Sequence, residues 1–488
     1  MTPQTIFLVF TGYTLLLLIV AWRTSRQHNN DAFFTGNKKS PWFVVAYGMV
    51  GASLSGVTFI SVPGWVGDTG FTYMMVVLGY LAGYFVIAHI LLPLYYKLNL
   101  TSIYTYLLDR FGFYSYKTGA TFFLISRIIG ASFRMFLVVN VLQIFVFDSW
   151  GIPFAATTAL FILLIWLYTY RAGIRTIVWT DTLQTTFMLL SIGISIYVIG
   201  TSLELSFTGL ISEIKASSYT RFIVSDLTSP QHWLKQFLSG AFIAIVMTGL
   251  DQDMMQKNLS CRNLKEAQKN VITLSWILVP VNLLFLTLGA ALFLYAGKTG
   301  IALPERSDNL FPVIALNHLG LLAGLSFFIG LIAAAYSSAD SALTALTTSF
   351  SVDILGINRS GNLPEQQQEK IRKRVHIGIS VVVMAVILIF RSLNNEAVIQ
   401  KLFTVAGYTY GPLLGLYAFG LFTRYKVRDK WVPVVAVIAP AICYILNARS
   451  EEWFDGYRFG FELLIVNGLL VFAGLWFLRK KIATSSRK

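Results

Sequence analysis

Charge is scarce in this sequence. Only 12% of its 488 residues are Asp, Glu, Lys or Arg, about half the share of an average soluble domain. A chain of this length folded in water needs far more polar surface, which excludes an ordinary soluble enzyme. A disordered chain is excluded by the same poverty of charge. Cysteine is nearly missing as well. Cys261 and Cys443 are the two; they lie far apart, and no disulfide framework is implied. No metal-ligand spacing, nucleophile motif or phosphate loop appears, so no enzyme activity is expected. What is abundant is apolar: 56% of residues are hydrophobic and the mean hydropathy is +0.66. The apolar runs are long and do not alternate, which excludes a transmembrane β-barrel. An all-α polytopic membrane protein is left.

Runs of about 17–25 apolar residues predict thirteen spans: 4–22, 42–66, 73–95, 118–147, 153–170, 176–200, 233–256, 271–297, 322–350, 377–391, 400–422, 432–447 and 460–478. They are numbered 1 to 13 below. Span 10 reads short, and span 9 reads as carrying a cytoplasmic extension. Span 1 is no signal peptide, because basic residues follow it rather than precede it. Of the 38 Lys and Arg, 27 fall in the C-terminal tail and in the connections after spans 1, 3, 5, 7, 9 and 11. Arg127 and Arg134 fall inside span 4. The positive-inside rule then predicts the N-terminus outside and the C-terminus in the cytoplasm. The net charge of +15 is therefore a topology signal for a lipid bilayer, and nucleic acid is not an expected partner. No soluble domain is expected. The outer stretch 201–232 has room for a short surface helix, and 355–376 reads as a polar, basic connection.

Polar residues inside the spans mark where function would sit. In span 2, Gly48, Gly51, Gly56, Pro63 and Gly64 interrupt an apolar run that also holds Ser53, Ser55, Thr58 and Ser61. An unwound segment there would expose carbonyl oxygens, hard ligands suited to Na⁺. Helix packing through small residues is the alternative. In span 9, Ser337, Asp340, Ser341 and Thr344 share one helix face beside Ser338. An intramembrane carboxylate is a functional-site hypothesis; the alternative is a hydroxyl packing seam. Asp181 and Gln184 form a second acidic face in span 6, where a boundary cap is the alternative. Arg127 and Arg134 are seven apart and share a face of span 4. Either one pairs with an acid or meets an anionic substrate, since a guanidinium suits a carboxylate.

These residues carry a resemblance. The chain is similar to the sodium:solute symporter family, which includes sodium–glucose, proline, pantothenate and sialic acid carriers. The matching segments are GASLSGVTFISVPG in span 2, KLNLTSIYTYLLDRFG after span 3, IRTIVWTDTLQ entering span 6 and DQDMMQK ending span 7. AAAYSSADSALTALTTSFSVDI in span 9 and GPLLGLYAFGLFTR in span 11 complete the set. The resemblance implies a LeuT-type fold with two inverted five-helix repeats, 42–200 and 233–422, in one transporter domain 1–488, and broken helices at spans 2 and 7. It implies a principal Na⁺ site on the carbonyls of Gly51, Leu54 and Ala334 and the hydroxyls of Ser337 and Ser338. Some members have a second site, whose positions here are Asp181, Asp340 and Ser341. Asp340 stands where those members have a hydroxyl, so a second Na⁺ or a proton is implied there. Where the family often has a Gly-Gly pair before span 6, this chain has Ala172-Gly173. In an acidic-sugar carrier of the family, an arginine of the third core helix meets the substrate carboxylate. That place falls near Gly130, about one turn from both Arg127 and Arg134. Substrate contact is expected at Ser55, Thr58, Val77 to Tyr80, Arg127, Arg134, span 7 and Tyr408 to Gly411.

The expected function is Na⁺-coupled symport of a small polar organic solute across a plasma membrane, or the inner membrane of a bacterium. A proton-coupled symporter using Asp181 and Asp340 is the alternative. A channel would need a filter loop or pore ring, and a transporter-like receptor would need an output domain beyond span 13; neither is seen. Substrate identity, stoichiometry and oligomeric state are open at this level.

Overall fold

A computed structural model describes residues 2–24, 38–100, 102–169, 174–357, 364–393 and 398–480. Ala172 and Gly173 lie outside the described residues. The molecule is a bundle of apolar helices. Among the described residues, eight of the predicted stretches (spans 1, 3, 4, 6, 8, 9, 10 and 12) are helices long and apolar enough to cross a bilayer, and two bent pairs bring the count to ten. Three helices make up the rest. Phe154–Thr169 and Leu463–Phe477 are short, and Val398–Phe422 is rich in glycine and tyrosine.

The two bent pairs sit at spans 2 and 7. Span 2 divides into Trp42–Ser53 and Gly56–Thr69, bent by 54°. Span 7 divides into Trp233–Gly249 and Gln252–Leu259, bent by 67°. Local chemistry accounts for each break. In span 2, Leu54 N still donates to Val50 O, but Leu54 and Ser55 leave the helical region and the ladder resumes with Phe59 N on Ser55 O. In span 7, the Asp251 carboxylate accepts from Asp253 N at 2.9 Å, capping a new helix start.

Span 10 differs from its sequence reading. It is not short, because the helix runs Glu365–Leu393 and absorbs the basic segment expected to be connection. Alternating Glu, Gln, Lys and Arg are good helix formers, so hydropathy marks only its apolar half. The stretch 201–232 does hold a short helix, Phe207–Ala216, capped by Ser206 and anchored by buried Leu210 and Ile214.

Glycine sets how closely the core helices approach. Spans 3 and 7 cross almost backbone to backbone. A Cβ on Gly240 would lie 2.0 Å from Val76 O, and one on Gly79 would lie 2.0 Å from Phe237 O. Span 2 rests on span 6 in the same way, since a Cβ on Gly51 would lie 2.3 Å from Thr185 Oγ1. Span 9 packs along span 6 and against both halves of span 2. These contacts gather the polar faces of spans 2, 4, 6, 7 and 9 at the centre of the bundle.

Candidate functional site

The break in span 2 lies between two polar neighbourhoods. A helix cannot satisfy its last carbonyls internally. Gly51 lies in the last turn before the break and Leu54 caps it, so their carbonyls belong to that group. Gly51 N is held by Thr185 Oγ1 of span 6 at 3.0 Å. One turn before Thr185, Asp181 accepts the Ser337 hydroxyl on Oδ1 at 2.7 Å. Ala334, Ser337, Ser338, Asp340 and Ser341 are all buried on span 9. Ser338 Oγ has no hydrogen-bond partner among the described residues, an orphaned hydroxyl where a cation would use its lone pairs. Asp340 Oδ1 accepts from Ser341 N at 2.5 Å, and Ser341 Oγ donates to Ser337 O at 2.9 Å.

The other Asp181 oxygen is bound by Lys257, whose Nζ lies 2.7 Å from Oδ2. The positive-inside tally places Lys257 in the connection after span 7. The structure instead buries it completely. The 67° bend redirects Gln252–Leu259 into the protein, so a residue at the end of an apolar run becomes an interior one. Asp251 and Asp253 move inward with it. These three charges were legible only as part of the DQDMMQK segment. The signal that marks them is three ionisable residues within seven positions at the end of an apolar run.

The bend also separates the two arginines of span 4. Arg127 forms an ion pair with Asp253 and lies 3.7 Å from Asp251. Asp251 further accepts the Tyr410 hydroxyl at 2.7 Å. Arg127 is thereby neutralised. Arg134, one face-repeat further along span 4, makes no ion pair or hydrogen bond among the described residues, and its Nε is buried without a partner.

Arg134 lines a cavity of about 710 Å³ on the far side of the span 2 break. Ser55 and Thr58 line it from span 2, Tyr73, Tyr80 and Tyr84 from span 3, and Thr248 and Asn282 from spans 7 and 8. Tyr80 is thus in place, while Val77 is buried behind the wall. Span 11 contributes Ile399, Leu402 and Phe403 rather than Tyr408 to Gly411. Tyr408 turns away to span 12, where its hydroxyl accepts from Asn447 Nδ2 at 2.9 Å. Gly130 lines a smaller cavity of about 280 Å³ with Arg127, Arg134 and Tyr410. The arrangement as a whole is an apolar and aromatic chamber with one guanidinium that makes no ion pair among the described residues, next to a helix break that presents carbonyls to a hydroxyl-rich helix.

The model of the sodium:solute symporter family matches residues 33–427. The chain belongs to the sodium:solute symporter family. It is a sodium-dependent transporter, not an enzyme. Among curated relatives, it is 26% identical over 470 residues to the sodium/sialic acid symporter SiaT of Proteus mirabilis, covering 93% of this chain and 91% of that protein. It is 23% identical over 446 residues to the sodium-coupled monocarboxylate transporter 1 of Mus musculus, covering 86% of this chain and 69% of that protein. It is 25% identical over 422 residues to the human sodium/iodide cotransporter, covering 81% of this chain and 62% of that protein. A solved substrate-bound, outward-open Na⁺-coupled sialic acid symporter superposes with a TM-score of 0.82 at 22% identity, over 98% of this chain and 99% of that one. A nucleobase-cation symporter, Mhp1, superposes at 0.59 with 14% identity, over 92% of this chain and 95% of that one. The fold is therefore LeuT-like.

Proposed function

We propose that this symporter couples inward Na⁺ flow to uptake of a small organic anion, carried as a carboxylate, across a plasma membrane or bacterial inner membrane. The observation that carries the anion is Arg134, a buried guanidinium that makes no ion pair or hydrogen bond among the described residues, lining the central cavity. A buried charge demands a partner, and a carboxylate matches the guanidinium fork bidentately. Three relatives that transport sialic acid, a monocarboxylate and iodide support an anionic cargo by their names. The Na⁺ ion would sit on the carbonyls of Gly51, Leu54 and Ala334 and the hydroxyls of Ser337 and Ser338. Substrate contact would extend to Ser55 and Thr58. In this reading thirteen spans cross the bilayer with the N-terminus outside, and the two repeats are 42–200 and 233–422.

Coupling follows from the shared break. An ion that fastens span 9 to the open end of Trp42–Ser53 sets the angle of the half-helix lining the cavity. Na⁺ then shifts the outward-open population only through its differential affinity for the two states. Asp181 has a donor on each oxygen, which favours sodium over a proton carried by that acid.

A thermal-stability screen of the purified protein tests the reading. Ligands of the folded state raise stability by RT ln(1 + [L]/Kd). A shift in NaCl but not in KCl or choline chloride is expected. It should be lost in Ser338→Ala, and enlarged by sialic acid or a short monocarboxylate rather than by neutral sugars. Equal shifts in all three salts would refute sodium coupling, and a neutral solute as the best ligand would refute the anion.

A further inference from the structure

The place where a second cation is implied already contains a positive charge of the protein itself. Lys257 sits fully buried on the half-helix Gln252–Leu259, with its ammonium 2.7 Å from Asp181 Oδ2. Asp253 and Asp340 act electrostatically on the same ammonium. Asp253 is engaged by Arg127, so Asp181 and Asp340 are the acids that Lys257 balances. Both Asp181 oxygens and Asp340 Oδ1 are served by internal donors. Ser337 donates to Asp181 Oδ1 at 2.7 Å, Ser341 N to Asp340 Oδ1 at 2.5 Å, and Ser341 Oγ to Ser337 O at 2.9 Å. Ser338 contrasts with them, since its buried hydroxyl has no hydrogen-bond partner among the described residues. Ser338 Oγ therefore offers an oxygen to an ion, while the Asp181 carboxylate is already served by an ammonium.

We propose that Lys257 is a tethered cation that takes the place of a second sodium ion between Asp181 and Asp340, so that one Na⁺ accompanies each substrate. The inference rests on the sodium-coupled reading above. Two carboxylates brought together in a protein interior repel each other and need a cation near them. A free ion would meet that need and leave with the substrate. A lysine on the broken helix meets it permanently, so it draws nothing from the gradient. It also ties the half-helix Gln252–Leu259 to span 6, beside the serines proposed to hold the transported ion.

The test is to count sodium on the purified full-length chain by equilibrium dialysis with ²²Na⁺. One ion per chain is expected for the wild type, and none for Ser338→Ala. Lys257→Gln removes the ammonium and should bind two. If that variant does not fold, Lys257→Gln combined with Asp340→Asn removes one charge of each sign and should likewise gain an ion. Two ions on the wild type would overturn the proposal, as would a folded Lys257 variant that still binds one. No bound sodium on the wild type would instead overturn the sodium-coupled reading beneath it, and this inference with it.

Discussion

At the residue scale, two arginines of one helix face have different tasks because their neighbours differ. Arg127 faces Asp251 and Asp253, all three nearly inaccessible to solvent. Replacing it with Gln leaves two buried carboxylates without their cation, a loss of about 3–5 kcal/mol. Arg127→Gln should therefore lower the melting temperature markedly even without solute. Arg134→Gln removes a charge that pairs with no protein group among the described residues. It should leave the fold intact and weaken binding of an anionic solute by the value of a charge-assisted hydrogen bond, about 1.5–3 kcal/mol, or roughly 10–100-fold. Paired thermal melts and solute titrations of the two variants check this. Equal solute affinity in Arg134→Gln and wild type would remove Arg134 from the substrate site. Spacing in sequence gave these arginines equal standing, because both lie on one face. What distinguishes them is the position of Asp251 and Asp253, set by a bend in another span.

At the element scale, the site depends on helices that stop and restart. Glycines and hydroxyls in span 2 made its break legible, since they weaken a helix and then satisfy what it frees. Span 7 carries fewer such marks, Ser239-Gly240 and Thr248-Gly249, and its apolar run leads directly into the acidic segment. Its break is made by Asp251 capping the next half-helix and by the ion pairs that hold the cap inside. The first half of span 7, Trp233–Gly249, is positioned by its crossing with span 3, where Gly240 meets Val76 O and Gly79 meets Phe237 O. A methyl group at 2.0 Å from a carbonyl oxygen forces the two backbones apart. Gly240→Ala should cost about 1–3 kcal/mol of stability, the range for overpacking, and reduce transport because Thr248 and Met247 of the cavity wall ride on the same half-helix. Expression yield and melting temperature in detergent measure the first, and uptake in proteoliposomes the second. A variant as stable and active as the wild type would show that the crossing is looser than described.

At the scale of the whole molecule, the charges form one ledger that sets the response to voltage. In the proposal that Lys257 is a fixed charge, one Na⁺ and one monoanion would move together, and no net charge would cross the membrane. Accumulation of a monoanionic solute such as sialic acid should then follow the Na⁺ gradient alone. A tenfold K⁺ gradient clamped by valinomycin should leave it unchanged, whereas each net positive charge carried would change it roughly tenfold. Uptake into proteoliposomes under imposed Na⁺ and K⁺ gradients checks both parts. A tenfold response to the clamped potential would indicate a second transported cation.

Several properties follow from composition and order alone. Scarce charge and long apolar runs require a helical membrane protein, because backbone polar groups in a bilayer must be satisfied within the segment. The hydroxyl-rich face of span 9, the broken span 2 and the acid in span 6 are local patterns, and the family resemblance they carry is the family to which the chain belongs. Tertiary structure decided which charges meet. Lys257 reads in sequence as a cytoplasmic anchor and is an interior partner of Asp181; Tyr408 reads as a substrate contact and faces Asn447 instead. Both depend on the direction in which a helix is sent after a break, and that direction is set by contacts with residues far away in the chain. Hydropathy measures how long a segment stays apolar, not where it points.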